Sequence, residues 1–401
     1  MIYLSVFYIK RLLKDWTIWA FGLFILTIFS LLLLTGKGAY NSSPELTFIW
    51  VVRAVRKIDQ ILLIAAIFFS SELYRLERKD DSEHIFHTFP LSSSHILFGK
   101  IISLSFVFLL MILSMALVSL VVQYSYAIPI DPAAYLLEFL SGLFRNVVFY
   151  VVLSFLLQII IQQRYVALGL TIGLMYVQSF FENFGFDHPI FYPLTINTDY
   201  HSDFVGFEPF LERHFWYSLY ILAILTFMLF LLDKFYVRGV DFHWRLRWSK
   251  LKRQLSDCKI ELMALVLILG VVSSFIISKS EPFYSKNYLD ELRAQYEVDL
   301  GFIKEKQQPL LIRFDLDLDY TDDQKIMAIG KYWLVNDSHE RIDTIYIQKP
   351  WLHKLQKYPI DHNVVVSKLK FDKVSRLTEN YEQYQHEIHV LDQTLMPGDS
   401  L

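Results

Sequence analysis

Residues 72–100, ELYRLERKDDSEHIFHTFPLSSSHILFGK, lie between two apolar runs of the chain. Their charged side chains, concentrated between Glu72 and Glu83, would each cost roughly 2.5 to 3.5 kcal/mol at the centre of a helix in a bilayer. Because both flanking runs are apolar, this stretch is predicted to be a loop outside the hydrocarbon layer. The chain is therefore expected to cross a membrane before and after the loop.

The composition of the whole chain favours a membrane protein. Hydrophobic residues make up 54% of its 401 residues, against roughly 45 to 50% in soluble proteins. The formal net charge of −3 gives no electrostatic reason to expect nucleic acid as a partner. Because Cys258 is the only cysteine, an intrachain disulfide and a cysteine-rich metal site are excluded.

Apolar segments close to the length that crosses the hydrocarbon, about 20 residues, recur along the chain and predict about seven transmembrane helices. They span residues 16–34, 58–74, 101–122, 143–161, 165–181, 216–232 and 262–278. The second segment is the least apolar, because Arg53, Arg56, Lys57 and Asp59 stand at its start, and its first part can instead lie along the membrane surface. The expected fold class is a mainly α polytopic membrane bundle.

Lysine and arginine are unevenly distributed among the predicted loops. If the N-terminus lies in the cytoplasm, three basic segments face the cytoplasm, as the positive-inside rule requires. They are the residues before position 15, residues 72–100 and residues 234–259. The loops on the other side carry few basic residues. An odd number of crossings then makes residues 1–278 a transmembrane domain and places residues 279–401 in an extracytoplasmic domain.

Residues 244–255, WRLRWSKLKRQL, combine aromatic and basic side chains at helical spacing. Trp244 and Trp248 share one face of a helix, and basic residues including Arg245 and Arg247 surround it. Such a helix is typical of segments that lie on an anionic membrane leaflet, so membrane lipid is an expected partner. The alternative is a basic loop that only sets the orientation of the bundle.

Beyond residue 278 the pattern changes from long apolar runs to short alternating segments. Ile312, Phe314, Leu316 and Leu318 alternate with charged residues, which predicts a half-buried strand. Further strands are predicted at residues 326–335, 342–348, 363–371 and 385–391. Short strands joined by polar turns indicate a small antiparallel β-sandwich. The last residues, LMPGDSL, read as a turn and the start of a further strand, so the sandwich is expected to be incomplete.

No catalytic, metal or cofactor-binding residue is predicted. His386 and His389 are too close in sequence for a HExxH zinc motif, and their alternation with apolar residues predicts a strand with solvated histidines. The sequence has no GxxxxGK[ST] loop for nucleotide phosphates, so any ATP would be bound by a partner. Glu138 and Arg145 stand at the fourth span, where Arg145 either faces a transport pathway or reaches out to the membrane surface.

The first two thirds of the chain resemble the permeases of ABC-2 type transporters. The residues that carry this resemblance form a loop motif after the second span, with Thr88, Pro90, Leu91 and Ser92 followed by Gly99 and Lys100 at the start of the next helix. The resemblance implies a multi-pass protein of a bacterial inner membrane, with a cytoplasmic ABC ATPase subunit and a second permease copy or a related permease as partners.

In such permeases the loop docks on the ATPase. A short amphipathic helix over residues 82–88, ended by Pro90, fits that role because its apolar face can fill a groove on a partner. The residues expected to couple to the ATPase are Glu83, Ile85, Phe86, Phe89, Pro90, Leu91 and Ser92. The alternative is a loop that packs only against its own chain.

The C-terminal part carries a second resemblance. The stretch 330–348, GKYWLVNDSHERIDTIYIQ, looks like the start of the β-sandwich domain of M1-family aminopeptidases fused to bacterial ABC-2 permeases. Because the zinc-binding HExxH is missing, the expectation is a truncated form without peptidase activity. The expected function is the permease subunit of an ABC exporter, and the rival is a membrane anchor for an extracytoplasmic peptidase-like or binding domain.

Overall fold

The computed structural model describes residues 2–36, 48–79, 92–126, 130–161, 163–195, 211–236, 253–254, 256–279, 285–320, 326–349 and 366–401. The chain divides into two compact units, Met1–Glu281 and Pro282–Leu401. In the described residues the first unit is helical, and the second combines one long helix with five strands.

Helices of the first unit follow the apolar segments of the sequence. In chain order they are α1 (Ile2–Lys14), α2 (Trp16–Gly36), α3 (Phe48–Lys79), α4 (Ser93–Ser125), α5 (Pro132–Ile160), α6 (Arg164–Val177), α7 (Leu211–Phe235) and α8 (Lys259–Lys279). Short 3₁₀ turns at Gln178–Phe184, Pro189–Phe191 and Pro193–Thr195 follow α6. One apolar cluster, drawn from all the helices but α8, forms the core of the bundle.

Within the described residues, five helices are long and apolar enough to cross a membrane, namely α2, α4, α5, α7 and α8. Each contains one of the predicted spans, so the helical membrane bundle is confirmed. The predicted count of seven is approximate. The second span lies inside α3, whose charged ends lower its mean hydropathy, and the fifth corresponds to α6, an apolar helix of 14 residues.

Helix α5 is irregular near its start. Asp131 caps it by accepting a hydrogen bond from the Ala133 amide, and Pro132 occupies the first turn, where its missing N–H costs nothing. Residues Leu136–Phe144 then form a π-helix before the α-helix resumes at Arg145. Because π-helical turns are rare and concentrate at functional sites, this segment marks α5 as unusual among the spans.

The second unit begins with α9 (Lys286–Leu300), a helix that was not predicted from the sequence. The Ser285 hydroxyl caps it by accepting a hydrogen bond from the Tyr288 amide at 3.2 Å. Its apolar side packs on a small cluster centred on Tyr384, which is fully buried. A helix thus covers one side of a region that was expected to contain strands alone.

Five strands form two antiparallel sheets. They are β1 (Leu310–Tyr320), β2 (Ile326–Val335), β3 (Ile342–Gln348), β4 (Ser375–Tyr381) and β5 (His386–Leu395). β1 pairs with β2, and the other sheet has the order β3-β5-β4. The prediction of a strand at residues 363–371 is wrong for 366–371, which have no regular structure, while 363–365 lie outside the described residues.

The strand β1 is not half-buried, contrary to the sequence-based expectation. Phe314 and Leu316 are 59% and 47% exposed, and their neighbours on the same face, Ile312 and Leu318, are also exposed. The alternation correctly indicated a strand, but within this unit no described element covers its apolar face. At the end of the chain, Leu401 exchanges two backbone hydrogen bonds with Leu334 of β2, at 2.8 and 2.9 Å.

Candidate functional site

The predicted coupling residues lie at the entrance to α4. Ser92 is the first described residue there and is the N-cap of α4, where its hydroxyl accepts a hydrogen bond from the His95 amide at 3.3 Å. The six others lie outside the described residues: Glu83, Ile85, Phe86, Phe89, Pro90 and Leu91. Trp244, Arg245, Arg247 and Trp248 of the predicted interfacial helix also lie outside them. Their roles stay predictions.

The first two turns of α4 contact three other helices, and we call Ser94, Gly99 and Lys100 the loop-end hub. Ser94 is the first contact, because its hydroxyl donates a hydrogen bond to the carboxylate of Asp233 near the end of α7. Asp233 also pairs with Lys234 at 3.1 Å. The start of α4 is therefore in direct contact with the end of α7.

Lys100 joins α4 to α1 and α3. Its side chain is buried, with the residue only 2% exposed. The ammonium group donates a hydrogen bond to the Tyr74 carbonyl of α3 at 3.4 Å and lies 5.7 Å from the centre of the Tyr8 ring of α1. Since the carboxyl end of a helix carries partial negative charge, a lysine near the end of α3 is well placed.

Gly99 lets α1 approach α4 closely. A Cβ atom at this position would lie 3.3 Å from the Leu4 Cβ and 3.7 Å from the Ser5 amide nitrogen. The first distance is shorter than ordinary van der Waals contact, so a side chain here would push the two helices apart. The loop motif singled out both Gly99 and Lys100. Gly99 allows α1 to approach α4 closely, and Lys100 contacts α1 through the Tyr8 ring.

Polar contacts also join α3 to α5 and α6 beside the hub. The Gln158 amide donates a hydrogen bond to the Ser71 hydroxyl at 3.1 Å, and both residues are buried. Arg164, the first residue of α6, forms an ion pair with Glu72 of α3. The guanidinium carbon of Arg164 lies 5.9 Å from the centre of the Phe68 ring. The end of α3 that leads into residues 80–91 is therefore fixed on several sides.

Arg145 contacts polar side chains of α5 and α7. Its guanidinium donates hydrogen bonds to the Ser218 hydroxyl of α7 at 3.1 Å and to the Asn146 side chain at 3.5 Å. It also interacts electrostatically with Asp59 of α3 and with Glu138. These contacts do not place Arg145 relative to the membrane surface, so both interpretations of this residue stay predictions. A role in a transport pathway remains a prediction.

The histidines of β5 are buried, so the prediction of solvated side chains is wrong. The His389 ring nitrogen Nε2 lies 3.1 Å from a carboxylate oxygen of Glu387, whose other oxygen pairs with Lys349. Burial raises the pKa of Glu387, but hydrogen bonds from Lys349 and His389 outweigh it and lower that pKa. No cluster of metal ligands occurs among the described residues. The group is a salt-bridged structural contact.

Sequence reasoning found some of these residues and missed others. The loop motif marked Gly99 and Lys100, and the scarcity of charge in the spans marked Arg145 and Glu138. Tyr8 and Asp233 carried no signal, because their partners lie far away in sequence. His214 stands near the start of a predicted span, and a polar residue in that position is a signal that could have been used.

A comparison with protein families finds a match within the first unit. Residues 11–179 match the family model described as ABC-2 family transporter protein. That segment runs from α1 through α6 and includes the loop-end hub and Arg145. No curated protein and no solved structure matches the chain. Five helices of the described part of the chain are able to cross a membrane, so the chain is a multi-pass membrane protein, and its residues 11–179 are similar to ABC-2 family transporter proteins.

Proposed function

We propose that this chain is the permease subunit of an ABC exporter and couples ATP hydrolysis by a separate cytoplasmic ATPase to transport. The observation that carries this proposal is the loop-end hub. A loop that only connected two spans would not need to enter a helix whose first two turns contact α1, α3 and α7. The hub gives a movement of residues 80–91 a direct route into the bundle.

The mechanism divides the work between two chains. The partner binds and hydrolyses ATP, and this chain has no motif for nucleotide phosphates in its sequence. Closure of the ATPase moves the loop, with Ile85, Phe86 and Phe89 filling a groove on the partner. The movement enters α4 at Ser92, the cap of the helix, and spreads through Ser94 and Lys100 to the neighbouring helices.

The orientation and the remaining partners belong to the same proposal. The positive-inside rule supports a cytoplasmic N-terminus in a bacterial inner membrane and an extracytoplasmic second unit. A second copy or a related permease completes the transporter, and the segment with Trp244 and Trp248 rests on membrane lipid. The resemblance of residues 330–348 to M1-family aminopeptidases supports an accessory extracytoplasmic domain.

Co-purification tests the proposal. The tagged full-length chain is extracted from its host in mild detergent, and the eluate is assayed for ATP hydrolysis. We expect an ATP-hydrolysing subunit with the natural chain and its loss with Phe86→Asp or Phe89→Asp, since both place a charge on the apolar face. His87→Asp, on the other face of the same predicted helix, is the matched control and retains the subunit.

Two outcomes contradict the proposal. Recovery of the natural chain without any ATPase would favour the rival function, a membrane anchor for the second unit. Equal ATPase recovery with Phe86→Asp and with the His87→Asp control would leave the subunit in place and remove the loop from the coupling mechanism.

A further inference from the structure

A second polar cluster lies away from the loop-end hub, on α5 and on two of the helices that the hub contacts, α3 and α7. We call it the polar centre and define it by residues from three helices: Asp59 of α3, Glu138, Ser141 and Arg145 of α5, and His214 and Ser218 of α7. Its presence in the apolar bundle requires an explanation, because polar groups inside a membrane protein are costly and usually functional.

The contacts of the polar centre form two steps one helical turn apart. The Ser141 hydroxyl forms a hydrogen bond with His214 Nε2, and Arg145 donates to the Ser218 hydroxyl at 3.1 Å. Both partners advance by four positions, so α5 and α7 run in the same direction here. Asp59 of α3 interacts electrostatically with Arg145 and Glu138. Three helices are thus tied together at one end.

The segment that carries these contacts is the π-helix Leu136–Phe144. A π-helix has more residues per turn than an α-helix and is less favourable, so it persists where surrounding contacts stabilise it. If the segment returned to α-helical hydrogen bonding, residues before Arg145 would rotate about the helix axis. Ser141 would then leave His214, while the rest of α5 kept its packing. Such a return to α-helical hydrogen bonding is one way in which the Ser141–His214 contact could open.

Two continuous helices connect the polar centre to the loop-end hub. On α3 the distance from Asp59 to Tyr74, and on α7 the distance from Ser218 to Asp233, is about 22 Å at ~1.5 Å per residue. Tyr74 and Asp233 are the hub contacts of Lys100 and Ser94. A hydrogen-bonded helix transmits axial displacement and tilt along its length, so both ends respond together.

We propose that the polar centre is a latch whose Ser141–His214 and Arg145–Ser218 contacts open when the partner ATPase binds ATP. This inference rests on the proposed function, because it takes the movement of the hub from an ATPase. It assigns positioning roles to Ser141, Arg145 and His214. None of them is required to touch the transported molecule.

Cross-linking in the assembled complex tests the latch. The variant Ser141→Cys with His214→Cys is made in a Cys258→Ser background, which removes the only natural cysteine. A short bifunctional thiol reagent is added without nucleotide and with a nonhydrolysable ATP analogue. We expect efficient cross-linking without nucleotide and a severalfold lower yield with the analogue. The matched control is Ser71→Cys with Gln158→Cys, a pair in regular parts of α3 and α5, which keeps its yield.

ATP hydrolysis by the complex gives a second, independent readout. His214→Leu removes the hydrogen bond to Ser141 and should raise the hydrolysis rate severalfold, because the latch no longer opposes opening. His214→Gln places an amide nitrogen near the position of Nε2 and should restore a rate close to the natural one. A purely structural role for His214 would lower the yield of folded protein in proportion to the loss of activity, without this rescue.

The outcomes separate the latch from the function on which it rests. If no ATPase co-purifies with the natural chain, the proposed function fails and the latch, which depends on it, fails too. If the ATPase is present but the Ser141–His214 cross-link forms equally with and without the analogue, the latch alone is overturned. An unchanged hydrolysis rate in His214→Leu would also overturn it.

Discussion

Replacing Gly99 tests the close approach of α1 and α4. In Gly99→Leu the new Cβ lies 3.3 Å from the Leu4 Cβ, and the rest of the side chain must enter space that α1 fills. Overpacking of this kind costs about 1 to 3 kcal/mol. The substitution also gains about 0.8 kcal/mol of helix propensity because glycine is a poor helix former. Both terms act on the full-length protein.

A matched control removes the propensity term. At Gly270 of α8, a Cβ atom would meet no other atom within 4 Å, so Gly270→Leu gains the propensity without the overpacking. Gly270→Leu therefore shows the effect of replacing a helical glycine by leucine where the new Cβ meets no neighbour, and an additional effect in Gly99→Leu is assigned to packing against α1. A difference of 1 to 3 kcal/mol corresponds to about a 5- to 150-fold change in the equilibrium between docked and undocked α1.

Limited proteolysis in detergent measures that equilibrium. Trypsin cleaves after Lys10, Arg11 and Lys14 of α1, and the cleavage rate follows the undocked population when opening is fast. We expect Gly99→Leu to be cut there about 5- to 150-fold faster than Gly270→Leu. Cleavage of the two variants at the same rate would show that α1 does not depend on this contact and would refute the packing argument.

Three further predictions concern the second unit, each measured by hydrogen exchange of β5 in the full-length protein. Tyr384→Phe removes the hydroxyl that donates to Asp299 at 2.7 Å. It should lower the free energy of unfolding by about 1.5 to 3 kcal/mol because the acceptor is charged. Unchanged protection of the β5 amides from exchange would contradict this prediction. Asn336→Ala removes the amide that donates to the Leu395 and Glu340 carbonyls and should cost about 1 to 3 kcal/mol. A change below about 0.5 kcal/mol would show that these two hydrogen bonds do not stabilise the unit. Burial lowers the pKa of His386, so the unfolded protein takes up a proton at a higher pH than the folded protein does. Stability should therefore fall as the pH drops below about 6.5. His386→Gln should reduce this dependence of stability on pH, and an equal dependence in the natural protein and in His386→Gln would rule out His386 as its cause.

The sequence predicts an element well when its signal is local. Residues 101–122 are continuously apolar, and a helix crossing follows from that property alone. The amphipathic spacing of Leu289, Leu292, Tyr296 and Leu300 was also present and indicated a helix. The burial of His386 could not be predicted from the alternating pattern of β5, because α9 packs beside this residue through Tyr296.

The site depends on contacts that no local pattern encodes. Arg145 and Ser218 are 73 positions apart, as are Ser141 and His214. Helix packing decides which polar residues meet. The π-helix in α5 also decides it, because it sets how far the residues before Arg145 are rotated about the helix axis. The hub shows the same limit, because Lys100 is recognisable from its motif but its partners, Tyr8 and Tyr74, are fixed by tertiary structure.

The length of α3 gives it mechanical leverage. Its 32 residues extend about 48 Å, well beyond the roughly 30 Å of hydrocarbon. If Asp59 is held as a pivot, the stretch from Asp59 to Lys79 is an arm of about 30 Å, and a tilt of about 5° moves its tip by about 2.6 Å. That displacement is comparable to a hydrogen-bond length. A small tilt of α3 in the lipid is therefore large enough to break hydrogen bonds near its Lys79 end.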